Sequence, residues 1–479
     1  MIRLEGIRFA YEGGGAVLEG VDLDVAKGET VLLLGGSGSG KTSLTRVING
    51  LIPSFFAGSF SGEARIGGSM TGDMDMTELS SRVGSVFQNP RNQFFTLDVA
   101  SELAFGLENR GMPPADIRRR MDRALSDLRL EHLRDCDVLR LSGGQMQSVA
   151  IASAYALDPD IFVMDEPSAN LDVKGTEELR RLLVRLKDAG KTIVISEHRL
   201  YFMKGLVDKA VYLDGGRVAH EWNGDELYGM DERRRISLGL RALSLHPPRP
   251  SGERPDENGN RLRLEGLAVG YRKELLERID LTIHAGEVVG ILGENGTGKS
   301  CLLSTIAGLR RELGGRILFN DECLRRKRRQ RACAMVMQDP GYQFFMEDVE
   351  TELFLGRTHE KAAEGERVLR EMGLWKKRGS NPLALSGGEK QRLAIAISLV
   401  DRKDIILLDE PSSGLDLRSL QALERAISKM RSLGKIVLIT SHDNELLSAT
   451  CTRMLTVENG IMTEMQSERN VVHEHESDR

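Results

Sequence analysis

The strongest constraint on the fold is an internal duplication. The glycine-rich segment GGSGSGKT (35–42) returns as GENGTGKS (293–300). Four more segments return in the same order: VFQNPRNQFF (86–95) as VMQDPGYQFF (336–345), LSGGQMQ (141–147) as LSGGEKQ (385–391), MDEPSANLD (164–172) as LDEPSSGLD (408–416), and SEH (196–198) as TSH (440–442). The offset between copies is 258 residues at the glycine-rich segment (35 to 293) and 244 from the LSGG segment onward (141 to 385). Such a repeat predicts two homologous domains, 1–245 and 261–465, that differ in loop length.

The segment between the copies, 246–260, holds four prolines and two glycines and almost nothing apolar. This composition predicts an exposed linker. The polar tail, 466–479, is expected to fray.

Composition excludes several classes of protein. Net charge is −5, from 66 basic and 71 acidic residues, so a chain-wide basic surface for nucleic acid is absent and no nucleic-acid partner is expected. Apolar runs fall far short of the roughly 20 residues that span a bilayer. The five cysteines show no CxxC spacing, which favours reduced thiols over a disulfide or zinc framework.

Apolar runs alternate with amphipathic helical patterns in each half. The runs TVLLL (30–34) and VVGIL (288–292) are each followed by glycine and precede helical segments. Further apolar runs end in the DE pairs and in the SEH and TSH segments. Strands alternating with helices predict an α/β core built on a parallel sheet in each half.

The duplicated glycine-rich segments match G-x-x-x-x-G-K-[ST] between a strand and a helix, which is typical of a phosphate-binding loop. Glycines allow backbone N–H groups to surround phosphate oxygens, and the helix N-terminus adds a positive dipole end. A simple glycine-rich turn is the alternative, and two copies in register argue against it. The predicted ATP-binding residues are Gly35, Gly36, Ser37, Gly38, Ser39, Gly40, Lys41 and Thr42 in the first copy, and Gly293, Glu294, Asn295, Gly296, Thr297, Gly298, Lys299 and Ser300 in the second.

Two adjacent carboxylates end an apolar strand in each half. The first acid, Asp165 or Asp409, can reach a Mg²⁺ ion beside the phosphate loop, together with Thr42 or Ser300. The second acid, Glu166 or Glu410, is placed to deprotonate water as a general base. The alternative is a pair of solvated acids at a strand end.

The LSGG segments complete an ordered set. Each would alone be a turn before a helix, with serine as the N-cap, but each recurs shortly before a DE pair. With the phosphate loop, glutamine motif, LSGG, DE strand and histidine in this order, both halves resemble the nucleotide-binding domain of ABC-type ATPases. The resemblance implies two P-loop NTPase domains, each with a RecA-like core, an antiparallel β subdomain and an α-helical subdomain. It also implies an intramolecular pseudo-dimer, in which ATP lies between the phosphate loop of one half and the LSGG segment of the other. The implied signature residues are Ser142, Gly143, Gly144, Ser386, Gly387 and Gly388.

The resemblance assigns further roles. Tyr11 and Tyr271 occupy the place of an aromatic residue that stacks on adenine, although ordinary core or surface tyrosines remain an alternative. His198 and His442 are similar to the switch histidine that contacts the γ-phosphate. Gln88 and Gln338 are similar to the glutamine that links Mg²⁺ and the attacking water to a transmembrane partner. The first switch segment reads SEHR and the second TSHD, and Ser148 stands where the second copy has Arg392. Neither difference removes a catalytic group, so both sites are expected to work, though not equally.

The segments after the glutamines, 88–106 and 338–356, are similar to those of energy-coupling factor (ECF) transporter ATPases. There they form a groove for helices of a membrane-embedded T component, beside a substrate-binding membrane subunit. This implies a peripheral position on the cytoplasmic face of the cell membrane and import of a vitamin, metal ion or similar micronutrient. Four acids are expected to meet basic residues of the partner: Asp98, Glu102, Asp348 and Glu352. The alternative is a solvated helix face with the phenylalanines in the core.

Two other functions remain open. The fused ATPase of a sugar-importing ABC system shares the tandem plan but normally lacks the Q-x-x-x-x-Q-F-F segment. A ribosome-associated tandem ABC protein usually carries a long charged helical linker, which 246–260 is not.

Overall fold

The computed structural model describes residues 1–251, 259–355 and 362–465. The chain divides into two compact units, Met1–Ser244 and Leu245–Arg479. Residues 252–258 of the predicted linker, residue 356 at the end of the second glutamine segment and the tail 466–479 lie outside the described residues.

The first unit contains ten strands and nine α-helices. The strands are β1 (Ile2–Tyr11), β2 (Ala16–Val25), β3 (Thr30–Leu34), β4 (Gly58–Ile66), β5 (Ser69–Met70), β6 (Val83–Val86), β7 (Ile161–Asp165), β8 (Thr192–Ser196), β9 (Lys209–Asp214) and β10 (Arg217–Asn223). The helices are α1 (Lys41–Ile48), α2 (Leu51–Ser54), α3 (Met76–Arg82), α4 (Val99–Asn109), α5 (Pro114–Leu128), α6 (Gly143–Ala156), α7 (Val173–Asp188), α8 (Gly224–Tyr228) and α9 (Glu232–Ser237).

Two sheets organise this unit. Four strands form a sheet of order β2-β1-β4-β5, paired antiparallel throughout. Six strands form a sheet of order β10-β9-β3-β8-β7-β6, parallel except for the edge strand β10. Strands β3 and β8 are buried along their whole length, which explains why their sequences are continuous apolar runs rather than alternating ones.

The parallel sheet positions the predicted site. Residue 35 follows β3, Asp165 ends β7 and Ser196 ends β8, so all three lie at the carboxyl edge of neighbouring strands. Ligands of open α/β sheets bind at this edge. Helices α4 and α5 pack against α6 as a separate helical layer through buried Leu103, Leu125 and Val149.

The second unit repeats this plan. Its strands are β11 (Arg261–Gly270), β12 (Glu274–His284), β13 (Val288–Gly293), β14 (Gly314–Phe319), β15 (Glu322–Cys323), β16 (Cys333–Val336), β17 (Ile405–Asp409), β18 (Ile436–Thr440), β19 (Arg453–Glu458) and β20 (Ile461–Glu464). Its helices are α10 (Lys299–Ile306), α11 (Arg326–Ala332), α12 (Val349–Leu353), α13 (Ala362–Glu371), α14 (Gly387–Val400), α15 (Leu417–Ser432) and α16 (Asn444–Thr450). The sheet orders are β12-β11-β14-β15 and β16-β17-β18-β13-β19-β20, as in the first unit. The predicted α/β core, antiparallel β subdomain and helical subdomain are confirmed in each half.

The described part of the predicted linker follows the surface of the second unit. The Asn444 side chain donates to the carbonyl of His246 at 2.7 Å, and the amide of Ser251 donates to the carbonyl of Cys451 at 2.9 Å. Within the described ranges, no helix is long and apolar enough to cross a membrane.

Candidate functional site

Each phosphate loop turns on glycines with positive φ. In the first loop φ is +141° at Gly35, +80° at Gly38 and +103° at Gly40, and the second loop repeats these values within 10°. A Cβ atom at Gly40 would lie 2.9 Å from both Leu18 Cδ2 and the Val17 carbonyl oxygen. Glycine is therefore required at this position both by conformation and by space.

The loop lysines are held over their own loops. Lys41 is buried, and its Nζ donates to the carbonyls of Gly35 at 2.8 Å and Gly36 at 3.2 Å. Lys299 Nζ donates to the carbonyls of Gly293 at 2.6 Å and Glu294 at 2.7 Å. Each ammonium group lies at the N-terminus of a helix, where a bound anion gains both the charge and the dipole.

A hydroxyl and a carboxylate meet at each predicted metal position. Thr42 Oγ1 donates to Asp165 Oδ1 at 3.3 Å, and Ser300 Oγ donates to Asp409 Oδ1 at 3.0 Å. Burial raises the pKa of the Asp165 carboxyl, and neighbouring Glu166 raises it further. Oxygen donors of this kind fit Mg²⁺, whose charge would favour the ionised carboxylate.

The predicted general bases occupy a strained backbone position. Glu166 has φ +45° and Glu410 has φ +47°, in the left-handed region that non-glycine residues avoid. Their amides donate to the carbonyls of Ser196 and Thr440, both at 3.0 Å, which anchors the strained residue to the neighbouring strand. Strain of this kind costs on the order of 1–3 kcal/mol and is typical of functional positions.

Both predicted switch histidines contact the predicted general base of their own half. His198 Nε2 lies 3.3 Å from Glu166 Oε1 and 3.4 Å from Lys41 Nζ. His442 Nε2 lies 3.2 Å from Glu410 Oε1. The structure thus brings together the loop lysine, the strand-end acids and the histidine that the sequence predicted.

The two glutamines differ. Gln88 Nε2 donates to Glu166 Oε2 at 3.0 Å, which joins it to the first cluster. Gln338 is exposed, and among the described residues no hydrogen bond joins it to the second cluster. The predicted roles of both glutamines at the metal remain predictions.

The signature segments begin helices α6 and α14. Ser142 is the N-cap of α6, and its amide donates to the Gln145 side chain at 2.9 Å. The amide of Ser386 donates to Glu389 Oε2 at 3.0 Å. Ser142 and Ser386 are exposed at these helix N-termini. Their predicted part in ATP binding stays a prediction.

The two tyrosines are in different surroundings. The Tyr11 hydroxyl lies 3.0 Å from Ser43 Oγ and accepts from Arg46 at 2.8 Å, so the ring is half-buried against α1. Tyr271 is exposed, and the Arg310 guanidinium lies 3.9 Å from the centre of its ring. Stacking on adenine remains a prediction for both.

Comparison with known proteins decides the family. A family model described as "ABC transporter" matches residues 18–169 and 276–413, together more than half of the chain. The chain belongs to the ABC transporter family. Members of this family hydrolyse ATP, so the chain is an ABC ATPase.

Relatives of this ABC ATPase match it over nearly its whole length. A "Putative ABC transporter ATP-binding protein" of Treponema denticola is 41% identical and covers 98% of this chain and 98% of its own. The "Putative HMP/thiamine import ATP-binding protein YkoD" of Bacillus subtilis is 30% identical and covers 95% of this chain and 90% of its own. A chain in the solved complex of archaeal ribosomal stalk protein aP1 with ribosome recycling factor aABCE1 has a TM-score of 0.62 at 23% identity, covering 96% of this chain and 90% of that one. The last likeness shows the fold alone.

Two site residues of the ABC ATPase were missed from the sequence. Ser196 Oγ donates to Asp165 Oδ1 at 2.5 Å, and Thr440 Oγ1 donates to Asp409 Oδ1 at 2.6 Å. Both end the strand beside the DE strand, two residues before the switch histidine. The recurrence of a hydroxyl residue at this place in SEH and TSH was the available signal.

One expectation about the glutamine segments is wrong. Glu102 and Glu352 were expected to meet a partner, but their side chains are 3% and 2% exposed and point inward. Glu102 Oε2 accepts from the amides of Phe95 and Thr96, both at 3.0 Å. Glu352 Oε2 accepts from the amides of Phe345 and Met346, both at 2.7 Å. The other two acids cap helices: Asp98 accepts from the Ser101 amide and Asp348 from the Thr351 amide, both at 2.8 Å.

Proposed function

We propose that this ABC ATPase energises an ECF-type importer of a vitamin, metal ion or similar micronutrient. In this proposal it works as a peripheral protein at the cytoplasmic face of the cell membrane. Its partners are a membrane-embedded T component and a substrate-binding membrane subunit. The observation that carries the proposal is a pair of exposed apolar surfaces, one after each glutamine.

These two surfaces, called here the post-glutamine surfaces, consist of Phe95 and Leu97 in the first unit and Tyr342 and Phe345 in the second. All four side chains are at least 72% exposed. The Phe95 ring stacks on Phe105 with centroids 4.9 Å apart, which extends the apolar surface. Exposed apolar patches of this kind mark sites of protein or membrane interaction.

The post-glutamine surfaces are held in place from beneath. In each half one buried carboxylate accepts two consecutive amides, at residues 95–96 and 345–346. A buried charge is costly unless it is hydrogen-bonded. ATP hydrolysis assigns no role to this buried carboxylate. Its repetition in both halves supports a recognition surface of fixed shape.

The partner that fits this surface is apolar and helical. Aromatic and leucine side chains on a rigid platform pack well against an amphipathic helix. The name of the Bacillus subtilis relative, which refers to HMP/thiamine import, supports a vitamin among the possible cargoes. The aABCE1 likeness carries no function here, because it concerns the fold alone.

The ATP chemistry follows from the two clusters. Thr42 and Asp165 in the first unit, like Ser300 and Asp409 in the second, would hold Mg²⁺, which when bound neutralises charge on the phosphates. Lys41 stabilises negative charge that develops on the transferred phosphoryl group. Glu166 accepts the proton of the attacking water, and His198, which contacts Glu166, would contact the γ-phosphate.

We also propose, on the family resemblance alone, that the two halves act as an intramolecular pseudo-dimer. The ATP site at Lys41 would then be completed by Ser386, Gly387 and Gly388. The ATP site at Lys299 would be completed by Ser142, Gly143 and Gly144.

The test is recovery of a membrane complex from detergent. We expect the double variant F95S/F345S to lose co-purifying integral membrane proteins, because each substitution removes an exposed aromatic contact. ATP binding should persist, since the phosphate loops are untouched. The matched control is L433S/I461S, which removes two apolar side chains that are 60% and 63% exposed elsewhere. Full recovery of the complex with F95S/F345S would refute the proposal.

A further inference from the structure

A buried glutamate in the first unit forms hydrogen bonds both to the loop that follows Glu166 and to the switch segment SEHR. Glu197 is 2% exposed and lies between Ser196, which bonds Asp165, and the switch residue His198. Its Oε1 accepts from the amide of Ser168 at 2.8 Å, and its Oε2 accepts from the amide of His198 at 3.1 Å. One carboxylate therefore joins the backbone two residues after Glu166 to the backbone of the histidine that contacts Glu166.

A neighbouring arginine makes a second tie to the same loop. Arg199 is 9% exposed and donates to the carbonyl of Leu171 at 2.7 Å. The loop 167–172, which follows Glu166 and leads into α7, is thus held by the switch segment at two points, Ser168 and Leu171.

The second unit is built differently at the corresponding positions. At the offset of 244 residues, Glu197 becomes Ser441, Arg199 becomes Asp443 and Ser168 becomes Ser412. Ser412 Oγ and Ser441 Oγ lie 3.2 Å apart, a contact between two neutral hydroxyls. Asp443, which is 4% exposed, accepts from the amide of Leu446 near the start of α16. At positions 412 and 441 the second unit therefore joins the loop to the switch segment through hydroxyl groups, without a carboxylate.

This difference needs a reason other than folding. Burial raises the pKa of Glu197 to about 7, with Glu166 raising it further and Arg199 and the Ser168 hydrogen bonds opposing the rise. A buried carboxylate that must be held by amides costs stability that a serine would not. Glu197 accepts one hydrogen bond from the backbone of His198. It accepts the other from the backbone of the loop that follows Glu166.

We propose that Glu197 is a positioning residue for ATP hydrolysis in the first site. Its carboxylate fixes the loop 167–172 against the switch, so that His198 stays within contact of both Glu166 and Lys41. Arg199 reinforces the same arrangement. The inference rests on ATP hydrolysis alone, not on import, so a failure of the membrane proposal leaves it standing.

The test compares E197S, which copies the second unit, with the matched control S441A. ATP turnover and amide hydrogen exchange are measured on the full-length purified protein. For E197S we expect kcat to fall about twofold to tenfold with KM for ATP nearly unchanged, because misplacing catalytic groups lowers the rate more than binding. Exchange in residues 166–172 should become faster. S441A should leave exchange in that loop unchanged.

A second variant covers the case in which E197S fails to fold. E197Q keeps one acceptor oxygen of the original two, and we expect an intermediate kcat and intermediate exchange in residues 166–172. Unchanged kcat in both variants would overturn the proposal. So would a fall in kcat that is matched by S441A, or one that accompanies only a loss of thermal stability with slow exchange retained in the loop.

Discussion

At the scale of single residues, the sequence predicted most of the side chains that the structure brings together in the two clusters. The G-x-x-x-x-G-K-[ST] and DE motifs identify Lys41, Asp165 and Glu166 because glycine conformation and strand-end carboxylates have few other uses together. The positive φ of Glu166 was not predictable, since nothing in the residue type favours it. The role of Glu197 was also hidden, because a glutamate beside a histidine gives no sign of its burial.

Replacement of both predicted general bases should sharply reduce turnover. In the double variant E166Q/E410Q, ATP hydrolysis should fall by about 10²–10⁴-fold, the usual effect of losing a general base. ATP binding should persist, because Lys41 and Lys299 remain. Phosphate release and nucleotide binding are measured side by side, with exposed Glu221→Gln as the control. Undiminished hydrolysis would exclude both glutamates from the mechanism.

Glu197 should also change how stability depends on pH. Its pKa lies above the ordinary value of 4.5, so between about pH 4.5 and 7 the folded protein holds a proton that the unfolded chain has lost. The contribution of Glu197 to the free energy of unfolding therefore falls as pH rises through this window. E197Q lacks this loss, so its Tm minus that of the unchanged protein should increase from pH 5 to pH 8. A difference that is constant or decreasing with pH would contradict the assignment.

At the scale of elements, the sequence predicted where the glutamine segments lie in the chain but not which of their side chains are exposed. The sequence indicated recognition by acids, whereas the structure exposes the aromatics and buries Glu102 and Glu352. The signal was present: Val99, Leu103 and Leu107 form the buried stripe of α4, and Glu102 falls on that same face. An acid on an apolar stripe is expected to be held by hydrogen bonds rather than offered to a partner.

Loss of the buried acid should therefore destabilise the fold itself. E102A leaves the amides of residues 95 and 96 without their acceptor, at a cost of about 2–4 kcal/mol in the free energy of unfolding. Urea denaturation measures this. The control is E108A, at an exposed position of the same helix. An E102A midpoint equal to that of E108A would show that the carboxylate does not hold the segment.

At the scale of the whole molecule, duplication set most of the architecture. Matching motifs predicted two α/β units, and both contain the same two sheet orders. The repeat could not show which equivalent residues of the two copies make different contacts. The pairs Glu197 and Ser441, and Gln88 and Gln338, occupy equivalent positions but make different bonds. Such differences depend on side-chain rotamers and burial, which the pattern of motifs does not encode.

The proposed pseudo-dimer predicts that a substitution in one half affects nucleotide binding in the other half. The variant S386R, which blocks the second signature segment, should reduce nucleotide trapping at the Lys41 loop more than at the Lys299 loop. Photo-labelling with an azido-ATP followed by peptide mapping distinguishes the two loops. Loss of label only from the Lys299 loop would contradict the pairing.

The central claim is that this ABC ATPase meets a membrane protein through its post-glutamine surfaces. The most direct measurement places a photoreactive phenylalanine analogue at position 95 or 345 and irradiates intact cells. A matching probe at exposed Ile461 serves as the control. We predict that positions 95 and 345 form adducts with integral membrane polypeptides and that position 461 does not. Adducts at 95 and 345 that contain only ribosomal or other soluble proteins would contradict the account.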